Sequence, residues 1–344
     1  MEKGFNKWKK VLKWLPGVLI SILAILAVLL IIKPEELKNA FATVRIQFIL
    51  IILLLDVLGL VVRGKAWQTI LGNKISLKQA FFGIGEGYFL NNILPFKAGE
   101  LGRSFILGRS SKLGTMYIFS TVVVERAFDI AFAGVLVVLS LPYITGMDWI
   151  KPIATILLVA VIAFLFIIFL LARNQEVVLS WSNRLHKPVK LANTLRPKMQ
   201  NMIKGFSTLA SPARFGLSLF WIAICWLVWS ISYSLAVVQI IPNAPFWWGG
   251  FVSGVVALGV AIPSAPSGLG VFEATFVGAI AILGGSSGSA LAYAILLHFL
   301  QFTIAAIIGI WGLIREGFSF SQIFSIFVKN GINANSEDEV MARK

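Results

Sequence analysis

The chain has 344 residues, 58% of them hydrophobic and only 13% charged, with thirty Lys and Arg against fifteen Asp and Glu. A soluble globular domain runs nearer half apolar and a quarter charged, so the composition excludes one and indicates an integral membrane protein. The net charge of +15 lies in loops between apolar runs, which excludes nucleic acid as its partner and points to membrane orientation and an anionic lipid surface.

The first fourteen residues, MEKGFNKWKKVLKW, form a basic tail. Leu15–Ile32 follows without a charge and is about long enough to cross a ~30 Å hydrocarbon layer at 1.5 Å per residue. It is followed by KPEEL where a cleaved leader needs small residues, so it reads as a retained span. Further full spans are expected at about 46–62, 115–141, 152–172, 215–241 and 288–314. Two apolar stretches behave differently. Residues 80–110 are interrupted by Gly83, Gly85, Gly87, Pro95, Gly99 and Gly102, and residues 245–285 by Pro263, Pro266, Gly268 and Gly270.

Orientation follows from the basic residues. Tail 1–14 holds five, loop 63–78 four and loop 173–214 eight, whereas loops 33–45, 142–151 and 242–248 hold three, one and none. The first set is cytoplasmic by the positive-inside rule. The N-terminus is then inside, in the cell membrane, and each interrupted stretch returns to the side it left. Each is a re-entrant hairpin or a pair of short spans; parity does not separate these. Loop 173–214 is expected to be solvated, with an amphipathic surface segment as the alternative, and tail 315–344 to be cytoplasmic and disordered.

The two interrupted stretches resemble each other. LPFKAGELG at 94–102 aligns with IPSAPSGLG at 262–270, pairing Pro95 with Pro263, Gly99 with Ser267 and Gly102 with Gly270. Three spans separate them, so they face opposite sides of the membrane. The expected fold is therefore all-α and polytopic, with about six full spans plus two broken elements, or eight if these count as short spans. Two membrane repeats, 15–141 and 152–314, are related by inversion, an arrangement that places a site near the bilayer midplane.

Non-helical backbone at that depth must be buried in protein or line a wet cavity. Half-helices starting after Pro/Gly turns offer free N–H groups to an anion such as phosphate. Lys97 and Arg103 add positive charge there, and Glu100 can pair with Arg103 at i,i+3. Intramembrane charges usually face a cavity or each other. In the third span, Glu125, Arg126 and Asp129 share one face, and two acids against one base leave a charge for Arg103 or Lys97 to match. Asp56 and Glu86 are also at membrane depth, with their protonation open. Glu273 is the candidate acid of the second half. His298 either titrates or hydrogen-bonds Gln301. Cys225 sits alone in an apolar run and His186 is remote from His298, so no metal or cofactor is expected.

The ordered trio LPFKAGELGRSFILGR, VVVERAFDIAF and IPSAPSGLGVFEATF resembles the lysylphosphatidylglycerol synthase transmembrane-domain family, the flippase part of the multiple peptide resistance factor. The resemblance covers about residues 15–314. It implies roles for Pro95, Gly99, Glu100 and Arg103, for Glu125, Arg126 and Asp129, and for Pro263, Gly268, Gly270 and Glu273. The chain departs from the family pattern at Ser267 and Phe272, where members often carry glycine and arginine. Full-length synthases attach a soluble aminoacyltransferase domain, for which these 344 residues leave no room, so no lysyltransferase activity is expected.

The leading expectation is a lipid translocase whose groove between the two breaks binds an anionic, aminoacylated or polyprenyl-linked headgroup. In it Arg103 and Arg126 hold phosphate, while Glu100, Asp129 and Glu273 match amines or protons. The alternatives are a non-catalytic partner of a separate lipid-modifying enzyme and a membrane-embedded lipid-linked transferase. A homo-oligomer is compatible with all three.

Overall fold

The computed structural model describes residues 44–94, 97–145, 150–174, 203–206, 209–262 and 264–317, with Gln200 and scattered positions between 19 and 42. Most of the expected first span 15–32, most of loop 173–214 and the tail beyond 317 lie outside the described residues, as do Pro95 and Pro263.

Among the described residues every regular element is helical. Helix α1 spans Ile46–Ile70, α2 Leu77–Ile93, α3 Gly99–Ser110, α4 Thr115–Thr145, α5 Ile150–Arg173, α6 Pro212–Ile240, α7 Trp248–Ala261, α8 Val271–Ile282 and α9 Ser287–Arg315. A single 3-10 turn, Pro266–Gly268, lies between α7 and α8. Helices α1, α6 and α9 are long and apolar enough to cross a membrane. The 12 residues of α3 and of α8 reach about 18 Å at 1.5 Å per residue, well short of a ~30 Å hydrocarbon core.

Local chemistry sets the boundaries. A reciprocal cap starts α2: Ser76 Oγ accepts from the Gln79 N–H while Gln79 Oε1 accepts from the Ser76 N–H, satisfying two otherwise orphaned donors. Pro212 begins α6, where its missing N–H is not needed. Helix α1 runs past the expected end at residue 62. Ala66, Trp67 and Ile70 are fully buried, so its apolar face continues, and Arg63 is neutralised by partners described below instead of entering a loop.

The order long helix, short helix, break, short helix, long helix occurs twice, as α1–α4 and as α6–α9, with α5 between. Contacts follow the same order. The first helices, α1 and α6, lie against each other. Short helix α2 packs on α9, the last helix of the other set, and α7 packs on α4. Each set thus inserts its hairpin against the other's final helix.

The surface is apolar. Leu54, Ile156 and Ile314 are each about two-thirds exposed, within bands of exposed leucine, isoleucine and phenylalanine on α1, α5 and α9. Such a surface suits hydrocarbon as the solvent. In lipid, apolar area gives little drive for helices to associate, so close backbone approach through small residues matters more. The α2–α9 crossing relies on it. A Cβ added to Gly309 would lie 2.6 Å from the Gly85 carbonyl oxygen. On α7, a Cβ at Gly254 would lie 2.9 Å from the Ala133 carbonyl of α4.

Gly309→Ala is therefore expected to lower stability by about 1–3 kcal/mol through overpacking. Gly278→Ala, which faces open space on α8, should leave it unchanged or slightly raised. Thermal unfolding of the two variants in detergent checks this.

Candidate functional site

The first break falls between the end of α2 at Ile93 and the start of α3 at Gly99. Lys97 adopts a left-handed backbone (φ 53°), its side chain is exposed, and α3 begins two residues later. Gly99 is needed for closeness: its added Cβ would meet Asn91 Oδ1 of α2 at 2.7 Å. Gly102, expected to be a break, is helical. Its N–H donates to the Ala98 carbonyl at 2.9 Å and closes the first turn of α3. Gly83, Gly85 and Gly87 likewise sit inside α2, serving contact and not interruption.

Behind this break lies a buried charge cluster. Arg63 of α1, fully buried, forms ion pairs with both Glu125 and Asp129 of α4. Arg103 of α3 is 1% exposed, donates to Glu125 at 3.0 Å and stacks its guanidinium 4.6 Å from the Trp67 ring centre. The Trp67 indole N–H is in turn held by Thr121 Oγ1 at 3.1 Å. Arg126 reaches Glu100 at 2.8 Å and Asp129 at 3.1 Å. From α6, the Trp226 indole N–H donates to Asp129 at 3.3 Å. Three guanidiniums face three carboxylates, so the cluster is formally neutral. That neutrality makes its burial tolerable, since an unpaired charge at membrane depth is costly.

The second break, between α7 and α8, carries three left-handed residues, Ser267, Gly268 and Gly270. Gly268 and Gly270 are the breaks the sequence indicates. Glu273, in the first turn of α8, turns back so that Oε2 accepts the Gly270 N–H at 2.7 Å. Its Oε1 lies 2.7 Å from His298 Nδ1 on α9. The other ring nitrogen, Nε2, lies 2.7 Å from Ser267 Oγ, which is also 3.3 Å from Asn92 Oδ1 on α2.

Between the breaks is a cavity of about 500 Å³. Its lining includes the polar Lys97, Glu100, Arg126, Asp129, Asn92 and Ser267 and the apolar Leu258, Val260, Phe272, Phe302, Ile304 and Ala305. Asp56 lines it from α1, is 5% exposed, and its Oδ2 has no hydrogen-bond partner. Both helix sets contribute to the lining.

Lys97, Glu100, Arg126 and Asp129 thus stand at the cavity, as do Ser267 and His298. Arg103 and Glu125 do not: they lie behind the wall and hold α3 to α4. Glu273 stands one residue back, behind His298. The expected Glu100–Arg103 pair is replaced by pairs across two helices, Glu100 with Arg126 and Arg103 with Glu125, because each finds its counter-ion on the neighbouring helix. His298 engages Glu273 and Ser267, not Gln301 as a hydrogen-bond partner. Arg63, expected in a basic loop, lies inside α1. The signal for a longer helix is the helical spacing of Val62, Ala66 and Ile70, which carries the buried face past the two basic residues. Among the described residues no group of three metal-ligating side chains occurs.

Two helical hairpins, inserted from opposite sets around a polar cavity in an apolar exterior, define a polytopic membrane protein of paired broken helices. The chain belongs to the family of the lysylphosphatidylglycerol synthase TM region, whose pattern it matches over residues 14–309. It is also similar to the UPF0104 membrane protein MJ1595 of Methanocaldococcus jannaschii, 30% identical over 119 residues, or 33% of this chain and 35% of that protein. The matched stretch therefore spans about a third of that relative's length.

Removing the shared carboxylate from the charge cluster should be severe. Glu125→Ala leaves Arg63 and Arg103 short of counter-charge and is expected to cost about 3–5 kcal/mol. Lys97→Ala, at the exposed edge, should cost under about 0.5 kcal/mol. Thermal unfolding of both in the same detergent reads the difference.

Proposed function

We propose that the protein is a lipid translocase whose headgroup site is the cavity between the two breaks. The observation that carries this reading is the cavity itself, lined by polar and apolar side chains from both helix sets. The short helices support two re-entrant hairpins. With α1 and α6 as the first helices of two units and each hairpin against the other unit's last helix, the arrangement supports an inverted repeat of the kind by which transporters alternate access about a midplane site.

The charges suggest how a headgroup binds. Arg126 already shares its charge with Glu100 and Asp129, so Lys97, which has no ion-pair partner among the described residues, is the cation available to a phosphate. Asp56 presents an unpartnered carboxyl oxygen to an amine or a proton. Arg103 holds the wall and does not touch the lipid. Acyl chains remain against the apolar lining or in the bilayer, which avoids carrying them through a polar passage.

The test is purified protein in liposomes holding trace reporter-labelled phosphatidylglycerol or, in a parallel set, lysyl-phosphatidylglycerol, with an impermeant quencher added outside. Protein should increase the quenchable fraction over empty vesicles. Lys97→Ala should slow the movement of both lipids about tenfold or more, the scale of one lost charged contact, and Asp56→Asn should slow the lysyl lipid selectively. If folded protein moves neither lipid, the translocase reading fails; if both substitutions leave the rates unchanged, the headgroup site is misplaced.

A further inference from the structure

The ion cluster and Lys97 account for a headgroup site without using the second break. There, three side chains from three separate segments are joined in series: Ser267 of the turn, His298 of α9 and Glu273 of α8. We propose that Ser267 is a nucleophile activated by His298, and that this half of the cavity transfers the acyl group of a membrane-lipid ester.

The geometry fixes the roles. Glu273 Oε2 is occupied by the Gly270 N–H, which aims Oε1 at Nδ1 of the imidazole, 2.7 Å away. A carboxylate has no proton to give, so Nδ1–H donates to it, and Nε2 keeps its lone pair. Nε2 then accepts from the Ser267 hydroxyl, also 2.7 Å away. This is the connectivity by which a serine, a base and an orienting carboxylate produce an alkoxide equivalent. Ser267 has one proton and spends it on Nε2. Asn92 Oδ1 also stands 3.3 Å from Oγ, but Nε2 at 2.7 Å is the closer and stronger acceptor for that single proton.

Two further observations point the same way. Ser267 is held at φ 63° between Pro266 and Gly268; a non-glycine residue in that region is strained, and such strain is concentrated at functional sites. Ser267 and His298 also line the cavity, whose lining is both polar and apolar. A glycerolipid carries its ester carbonyls at the junction of headgroup and chain. With phosphate toward Lys97 and chain toward Phe302 and Ile304, that junction falls in the same cavity as Oγ.

In the step, Ser267 Oγ attacks the ester carbonyl carbon and its proton passes to His298 Nε2. The carbon–oxygen bond to the lipid alcohol breaks, and the alcohol leaves with the proton from Nε2. The acyl group remains as an ester on Oγ. Water or a second hydroxyl compound attacks that ester and gives its proton to Nε2; the acyl–Oγ bond breaks, Nε2 returns the proton to Ser267 Oγ, and the acyl group leaves as acid or new ester. Ser267 and His298 are the catalytic residues; Glu273 is a positioning residue.

The probe is a long-chain alkyl fluorophosphonate applied to the full chain in detergent, with adducts located by mass spectrometry. This readout needs no transport, so it stands apart from the translocase test. Wild type should be modified at Ser267. Ser267→Gly, which suits the left-handed backbone, should show no adduct while unfolding at the wild-type temperature or above. His298→Ala should slow modification ~10²-fold or more. Glu273→Gln should lower the maximal rate with the probe's half-saturating concentration unchanged, and Glu273→Asp should restore part of it. Phosphatidylglycerol in mixed micelles should release lysolipid with wild type and not with Ser267→Gly. Folded wild type without an adduct at Ser267, or an adduct forming equally fast in His298→Ala, overturns the proposal.

Discussion

Charge has nowhere to go inside a hydrocarbon layer except to an opposite charge, and that constraint organises this molecule. Arg63, Arg103 and Arg126 meet Glu100, Glu125 and Asp129 in one cluster. Each bond in it crosses between helices or fixes a face of α4. Helix α1 is held through Arg63, α3 through Arg103 and Glu100, and α6 through the Trp226 contact to Asp129. Apolar side chains in lipid gain little from meeting one another, so these polar contacts and the glycine crossings specify which helices are neighbours. The neutrality of the set leaves Lys97 and Asp56 as cavity-lining titratable groups outside it.

The backbone obeys the same rule. Where helices break, amides lose their partners and lipid cannot replace them. The two breaks answer this by facing a shared cavity and by local capping, as when Glu273 returns to the Gly270 N–H. A polar cavity at depth is thus a consequence of breaking two helices against each other, and the functional possibilities grow from it. The first break is built from charges and suits recognition of a headgroup. The second is built from a hydrogen-bonded relay and suits proton movement at a reacting oxygen. Similar architecture in the two halves has been filled with different chemistry.

Much of this was legible in the chain. The family, the helical membrane class, the presence of two breaks and the charged face of α4 all follow from residue order, because hydropathy and Pro/Gly interruptions are local properties. Partners were less legible. Glu100 and Arg103 are three apart on one helix and invite a local pair, yet each is closer in space to a counter-ion on α4. Gly99 and Gly102 look alike in sequence, but one permits a close approach to α2 and the other closes a helical turn. Arg63 was concealed by its neighbour Lys65, since two basic residues near the end of an apolar run read as a loop.

By itself, then, the sequence determined that this protein lives in a membrane, that its elements are helices, and that two of them are interrupted where Pro, Gly and charge coincide. Only the tertiary structure decided that Arg63 belongs inside, that Arg103 is a wall residue and not a ligand, and that Ser267, Glu273 and His298 form one chain of hydrogen bonds. The physical reason is range. Hydrophobicity and backbone preference act within a few residues, whereas a hydrogen bond or ion pair between helices depends on which faces meet, and that is settled by all the contacts together.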